Sequence, residues 1–84
     1  MERLVTIQLS GNLEARPIAM LVQVASRYDS TVYLETAGKK VNAKSIMGMM
    51  SLTLKAGDEV KVIAEGEDAQ SALDGIEEYL SNRN

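Results

Sequence analysis

The sequence predicts a two-layer α+β domain with the element order β-α-β-β-α-β-α, one face of the sheet covered by helices and the other solvated. Three observations point there. Short stretches of alternating or β-rich residues recur along the 84-residue chain, separated by Gly-containing turns. Two longer stretches repeat apolar residues at helical spacing. The composition, 45 % apolar and 25 % charged, is that of an ordinary globular chain. A folded monomer of this mass exposes about 4,900 Å² against roughly 13,000 Å² unfolded, enough burial for one modest core. Nothing resembling a linker, a low-complexity tract or an internal repeat interrupts the chain, so residues 1–84 are expected to form a single domain.

The first strand is expected over Leu4–Leu9, where Val5, Ile7 and Leu9 alternate with Thr6 and Gln8, and Ser10-Gly11-Asn12 breaks it. Pro17 suits the first turn of a helix, because the N–H it lacks has no intrahelical partner there. Ile18, Leu21, Val22 and Ala25 then share a face, with Gln23, Ser26 and Arg27 off it, and the helix is expected to end near Tyr28-Asp29. Thr31–Thr36 is rich in β-formers, Ala37-Gly38 supplies a turn, and Lys39–Ala43 returns as the second arm of a hairpin. Ser45 fits the N-cap of a short helix reaching about Leu52, too apolar for pure solvent exposure. After the turn Ala56-Gly57-Asp58, Glu59–Glu65 reads as a strand with Val60, Val62 and Ala64 on one side. Ala69, Ala72, Leu73, Ile76 and Leu80 define a last amphipathic helix whose other face carries Asp74, Glu77 and Glu78. Glu67-Asp68 at its start complements the positive end of the helix dipole.

Counting removes several chemistries. The chain has no cysteine, so it offers neither a disulfide nor a thiolate nucleophile or metal ligand. It has no histidine, and with that go the usual general base, the usual metal ligand and any phosphohistidine. Stacking on nucleic acid would rest on three tyrosines, and the net charge of −3 has the wrong sign for a phosphate-backbone binder. No apolar run approaches the ~20 residues of a membrane span and no signal peptide is visible. The expectation is a cytoplasmic domain with no cofactor, no direct nucleic-acid contact and no membrane partner.

Two segments carry a resemblance: Asn12-Leu13-Glu14-Ala15-Arg16-Pro17 at a helix start, and Lys44-Ser45-Ile46-Met47-Gly48-Met49-Met50-Ser51-Leu52, preceded by Gly38-Lys39-Lys40-Val41-Asn42-Ala43. Over nearly its whole length the chain resembles the HPr family, phosphocarriers of the bacterial sugar phosphotransferase system. The resemblance implies an HPr-like open-faced β-sandwich, a four-stranded antiparallel sheet with helices packed on one face. One departure decides more than the matches. The family's phosphoryl-carrying histidine precedes Ala-Arg-Pro, and here that position is Glu14. A relay between histidines needs an imidazole, so the chain looks like the regulatory, catabolite-repression branch of the family in Bacillus-type bacteria. That branch usually has glutamine at the lost position, from which Glu14 also departs. The resemblance then implies that Ser45 is the regulatory phosphoserine, written and erased by HPr kinase/phosphorylase. It implies that the phosphorylated form is corepressor for a LacI-type catabolite control repressor, a substrate of an enzyme rather than an enzyme. The alternative is a phosphocarrier that uses Glu14 as acceptor through an acyl phosphate. A third possibility is an interaction module of unrelated α+β fold with a fortuitous match.

Each singled-out residue also has a plainer role. Glu14 is either an exposed acid near a helix N-terminus or a partial, singly charged mimic of phosphohistidine. Arg16 is a solvated or Glu14-paired side chain or, by the resemblance, a contact for an anion or an acidic partner group. Ser45 is an N-cap whether or not it is modified, since phosphate oxygens are received by the same unpaired N–H groups. Lys39, Lys40 and Lys44 are solvated cations or a partner for that phosphate. Ile46, Met47, Met49 and Met50 are core fillers or a contact patch; one short helix cannot bury all four, and Ile46 and Met50 share a face that Met47 and Met20 extend. The strand Leu4–Leu9, joined to the first helix by a short polar loop, can leave its own sheet and complete another's. A strand-swapped homodimer in slow exchange is therefore expected, as the resemblance also implies.

Overall fold

Strict alternation builds the sheet. In the strand Glu59–Glu65 (β4), Val60, Val62 and Ala64 are fully buried while Glu59 and Glu65 are exposed. Such a pattern fits a strand with one face on a core and one toward solvent. In the computed structural model, which describes residues 1–9 and 15–81, β4 pairs antiparallel with Glu2–Thr6 (β1) on one side and Thr31–Thr36 (β2) on the other. The hairpin partner Lys39–Asn42 (β3) completes an antiparallel sheet of order β1-β4-β2-β3. On the open face the register lines up Leu4, Lys61, Glu35 and Lys40 across the strands, and Lys61 Nζ lies 3.5 Å from Glu35 and 3.8 Å from Glu2.

Three helices cover the other face: Ala15–Ser26 (α1), Ile46–Met50 (α2) and Ala69–Leu80 (α3). Their buried residues, among them Ile18, Leu21, Ala25, Met49, Leu73, Ile76 and Leu80, form one core with Val5, Ile7, Val32, Leu34, Val60 and Val62. The five apolar positions that define the last helix in the sequence are all buried. On α1, Val24 joins the buried stripe and Val22 is half-buried against its edge. The exposed surface is 4946 Å², what the size of the chain leads one to expect.

Three local differences from the sequence have physical causes. The first strand ends at Thr6 rather than Leu9, because its partner runs out: Thr6 faces Glu59, and before Glu59 the chain turns at Gly57 (φ 93°). Ile7 stays buried by exchanging bonds with that turn (Ile7 N to Asp58 O and Gly57 N to Ile7 O, both 2.8 Å), and Gln8 N reaches Leu80 O at 2.7 Å. Toward the N-terminus the pairing continues instead to Met1, bonded both ways to Ala64. The first helix closes at Ser26, and single tighter turns, Arg27 N to Val24 O and Tyr28 N to Ala25 O, carry the chain on to Tyr28. Asp68 is the N-cap of α3 but makes no capping bond; its carboxylate accepts instead from the backbone N–H groups of Asp29 and Ser30 and from the Ser30 hydroxyl. These bonds hold its pKa below the usual carboxylate value, the Ser30 hydroxyl contributing most. Ser10-Gly11-Asn12, read as the break after the first strand, and Glu14 lie outside the described residues.

Candidate functional site

The helix α2 is short because its start is fixed by one side chain and its end by another. Ser45 has extended backbone (φ −105°, ψ 114°), and its Oγ accepts from Gly48 N at 3.2 Å. Ser45 O takes the first helical bond, from Met49 N at 2.9 Å. At the other end Ser51 Oγ donates to Gly48 O at 2.6 Å. A Cβ at position 48 would stand 3.4 Å from Ser45 Oγ and 3.7 Å from Val41 Cβ, ordinary packing distances. Just upstream, Lys44 N donates to Asn42 Oδ1 at 2.8 Å, turning the chain out of β3 and into the cap.

Of the apolar residues on α2, packing takes only one. Met49 is fully buried, whereas Ile46 and Met50 are near half exposed and Met47 is 83 % exposed. Alongside Ser45 the helix thus presents three uncovered apolar side chains, a clustered patch of the kind that marks contact surfaces. Met20 on α1 is also exposed, but it borders a groove of about 280 Å³ between α1 and α3, with Arg27, Tyr28 and Glu78 on its walls. The three lysines near α2 already have contacts: Lys44 Nζ donates to Tyr28 O at 2.6 Å, Lys39 Nζ reaches Ser51 O at 3.5 Å, and Lys40 Nζ sits 4.9 Å over the Tyr33 ring.

Arg16 is exposed in the first turn of α1, and α1 packs against α2. That first turn is pinned from a distance, because Tyr79 Oη donates to Pro17 O at 3.0 Å; burial pushes the Tyr79 hydroxyl pKa up. This tie is invisible in the sequence, where Tyr79 is one more residue on an amphipathic helix. So is the contact of Arg3 Nη1 with both Asp74 and Glu77, each at 2.8 Å, which straps β1 to α3. Among the described residues, no group of three or more His, Cys, Asp or Glu side chains could hold a metal ion, and no helix is long and apolar enough to cross a membrane.

The family model for the PTS HPr component phosphorylation site matches residues 1–82. The chain belongs to the HPr family. Within that family it is 54 % identical to the HPr-like protein Crh of Bacillus subtilis (strain 168) over 76 residues, 90 % of this chain and 89 % of that protein. HPr of Thermoanaerobacter tengcongensis superposes with a TM-score of 0.91 at 41 % identity, over 99 % of this chain and 93 % of its own. The crystal structure of B. subtilis Crh, described as a swapped dimer, superposes with a TM-score of 0.76 at 54 % identity, over 90 % of this chain and 87 % of its own. The four-stranded antiparallel sheet with helices on one face is the HPr fold.

Proposed function

We propose that this HPr-family chain is a regulatory protein of carbon catabolite repression and not an enzyme, switched by phosphorylation of Ser45. HPr kinase/phosphorylase adds and removes the phosphoryl group. The phosphorylated form docks as corepressor on a LacI-type catabolite control repressor and does not itself contact DNA. One observation carries this: the capping hydroxyl of Ser45 stands beside three exposed apolar side chains, in a chain with Glu14 at the carrier position and no histidine. The similarity to Crh supports it.

The physics is compatible with a switch that leaves the fold alone. Phosphate on Ser45 adds about −1.5 to −2 charge at a helix start, where N–H groups and the dipole accept it. Lys44 and Lys40 are engaged elsewhere, so the phosphate oxygens are offered to an Arg or Lys of the partner. Ile46, Met47 and Met50 add apolar burial, and Arg16 and Met20 on α1 extend the contact. Charge and apolar surface are both required for tight docking.

Ser45→Ala is expected to fold with a loss of about 1 kcal/mol of capping and to lose repressor binding in the presence of kinase and ATP. Ser45→Asp rescues partly, having one charge and a smaller head. Met50→Ala weakens binding but is still phosphorylated. Calorimetry giving equal repressor affinity for phosphorylated and unmodified protein would overturn the corepressor role. Stable label passed from phosphoenolpyruvate to Glu14 would establish the carrier alternative. The protein is further proposed to be cytoplasmic, a single domain, and to exchange slowly between monomer and a dimer swapped through β1. The swapped Crh dimer supports the last point, and light scattering after long incubation tests it.

A further inference from the structure

Phosphorylation leaves a second reactive group on α2 unused. The chain has five methionines and no cysteine, histidine or tryptophan, so thioethers are its most easily oxidised side chains. Their accessibilities are far apart: 83 % for Met47, 58 % for Met1, 49 % for Met50, 44 % for Met20 and 0 % for Met49. Two of the four exposed ones stand on α2, just after the Ser45 cap, while the one that packs α2 onto the core is sealed off.

We propose that Met47, together with Met50, is an oxidation site at which a peroxide erases the apolar face of α2 without unfolding the protein. A lone pair on the thioether sulfur attacks one oxygen of hydrogen peroxide. The S–O bond forms as the O–O bond breaks, and the proton on the transferred oxygen passes to the departing hydroxide, giving sulfoxide and water. Sulfur loses two electrons and the peroxide gains them. The sulfoxide is a polar hydrogen-bond acceptor where an apolar thioether stood, and burying it without a donor opposes contact. Methionine sulfoxide reductases reverse the change, one enzyme for each sulfoxide epimer, so the apolar face can be restored. Met49, with no exposed surface, keeps its packing, and the fold is preserved. That oxidation also silences repressor docking rests on the regulatory role proposed above.

The test exposes the intact protein to hydrogen peroxide and follows each methionine by peptide mass spectrometry. Met47 is expected to oxidise first, about tenfold or more faster than Met49, as accessibility dictates. Retention on a hydrophobic-interaction column should fall, then recover after treatment with both reductases, while circular dichroism stays unchanged. The double variant Met47→Leu, Met50→Leu keeps the apolar face of α2 without an oxidisable sulfur, and its retention should respond to peroxide much less, the remaining change coming from exposed Met1 and Met20. Comparable oxidation of Met49 and Met47, unchanged retention once Met47 and Met50 are sulfoxides, loss of the dichroism signal, or an equal response of the double variant would each overturn the proposal. Phosphorylated, unoxidised protein that fails to bind the repressor overturns the regulatory role instead, and the oxidation site is still decided by these readouts.

Discussion

Met47 and Met49 stand two positions apart on the same short helix, and packing gives them opposite surroundings. Residues spaced by two point to nearly opposite sides of a helix, so one fills the core and the other meets solvent. Met49→Ala should therefore cost about 2–5 kcal/mol, and Met47→Ala no more than about 0.5 kcal/mol, both read from urea unfolding. A residue of a different kind is Gly66, at φ 144°, where a Cβ would come within 2.8 Å of the Ser30 backbone. Gly66→Ala is expected to destabilise by at least about 1–3 kcal/mol, the backbone strain adding to the clash with Ser30, visible as a lowered unfolding midpoint. Composition made plain that α2 holds more apolar side chains than it can bury. Which one goes inside depends on the direction from which the core approaches, and a five-residue helix is too short for periodicity to reveal that.

Among the elements, β1 is the one whose attachment is not evident from its own residues. It is an edge strand, and its Leu4 is 59 % exposed on the open face of the sheet. Alternation puts Arg3 on the same side as buried Val5, where its guanidinium reaches Asp74 and Glu77 on α3. The bond to Asp74 is the main cause of the raised pKa of Arg3, and in return Arg3 holds the Asp74 carboxyl below its usual range. Such a strap opposes local opening of the edge, and ions in solution weaken it. Arg3→Gln should speed amide hydrogen exchange in β1 by about two- to fivefold at low salt, with the difference fading near 1 M salt, where charges are screened beyond about 3 Å. Equal exchange in both proteins at low salt would show that the backbone ladder alone holds the strand. The strand itself is legible from the alternation of Val5 and Ile7, but its end at Thr6 is set by where β4 begins.

At the scale of the whole molecule, acid acts through carboxylates that the fold holds ionised. Asp68 ties the α1–β2 junction to the start of α3, and its pKa in the folded protein lies below the ordinary value of 3.8. The unfolded state therefore binds its proton first as pH falls. The stabilisation is complete above that ordinary value and is lost as pH drops through the lower folded value; Asp74 acts with the same sign. The urea midpoint should decline as pH falls below the ordinary carboxylate value of 3.8, and less steeply in Asp68→Asn; identical slopes would remove Asp68 as a cause. The sequence by itself determined the element order, the core-facing side of β4 and α3, the capping role of Ser45 and the lack of any imidazole or thiol. Each of these depends on neighbouring residues or on simple counting. Only the tertiary structure decided that Asp68 serves residues 38 and 39 positions away rather than its own helix, that Arg3 meets Asp74 across 71 positions, and that Tyr79 holds the turn carrying Arg16. The reason is that periodicity specifies which face of an element is turned inward, while the partner it meets there is chosen by how distant elements pack.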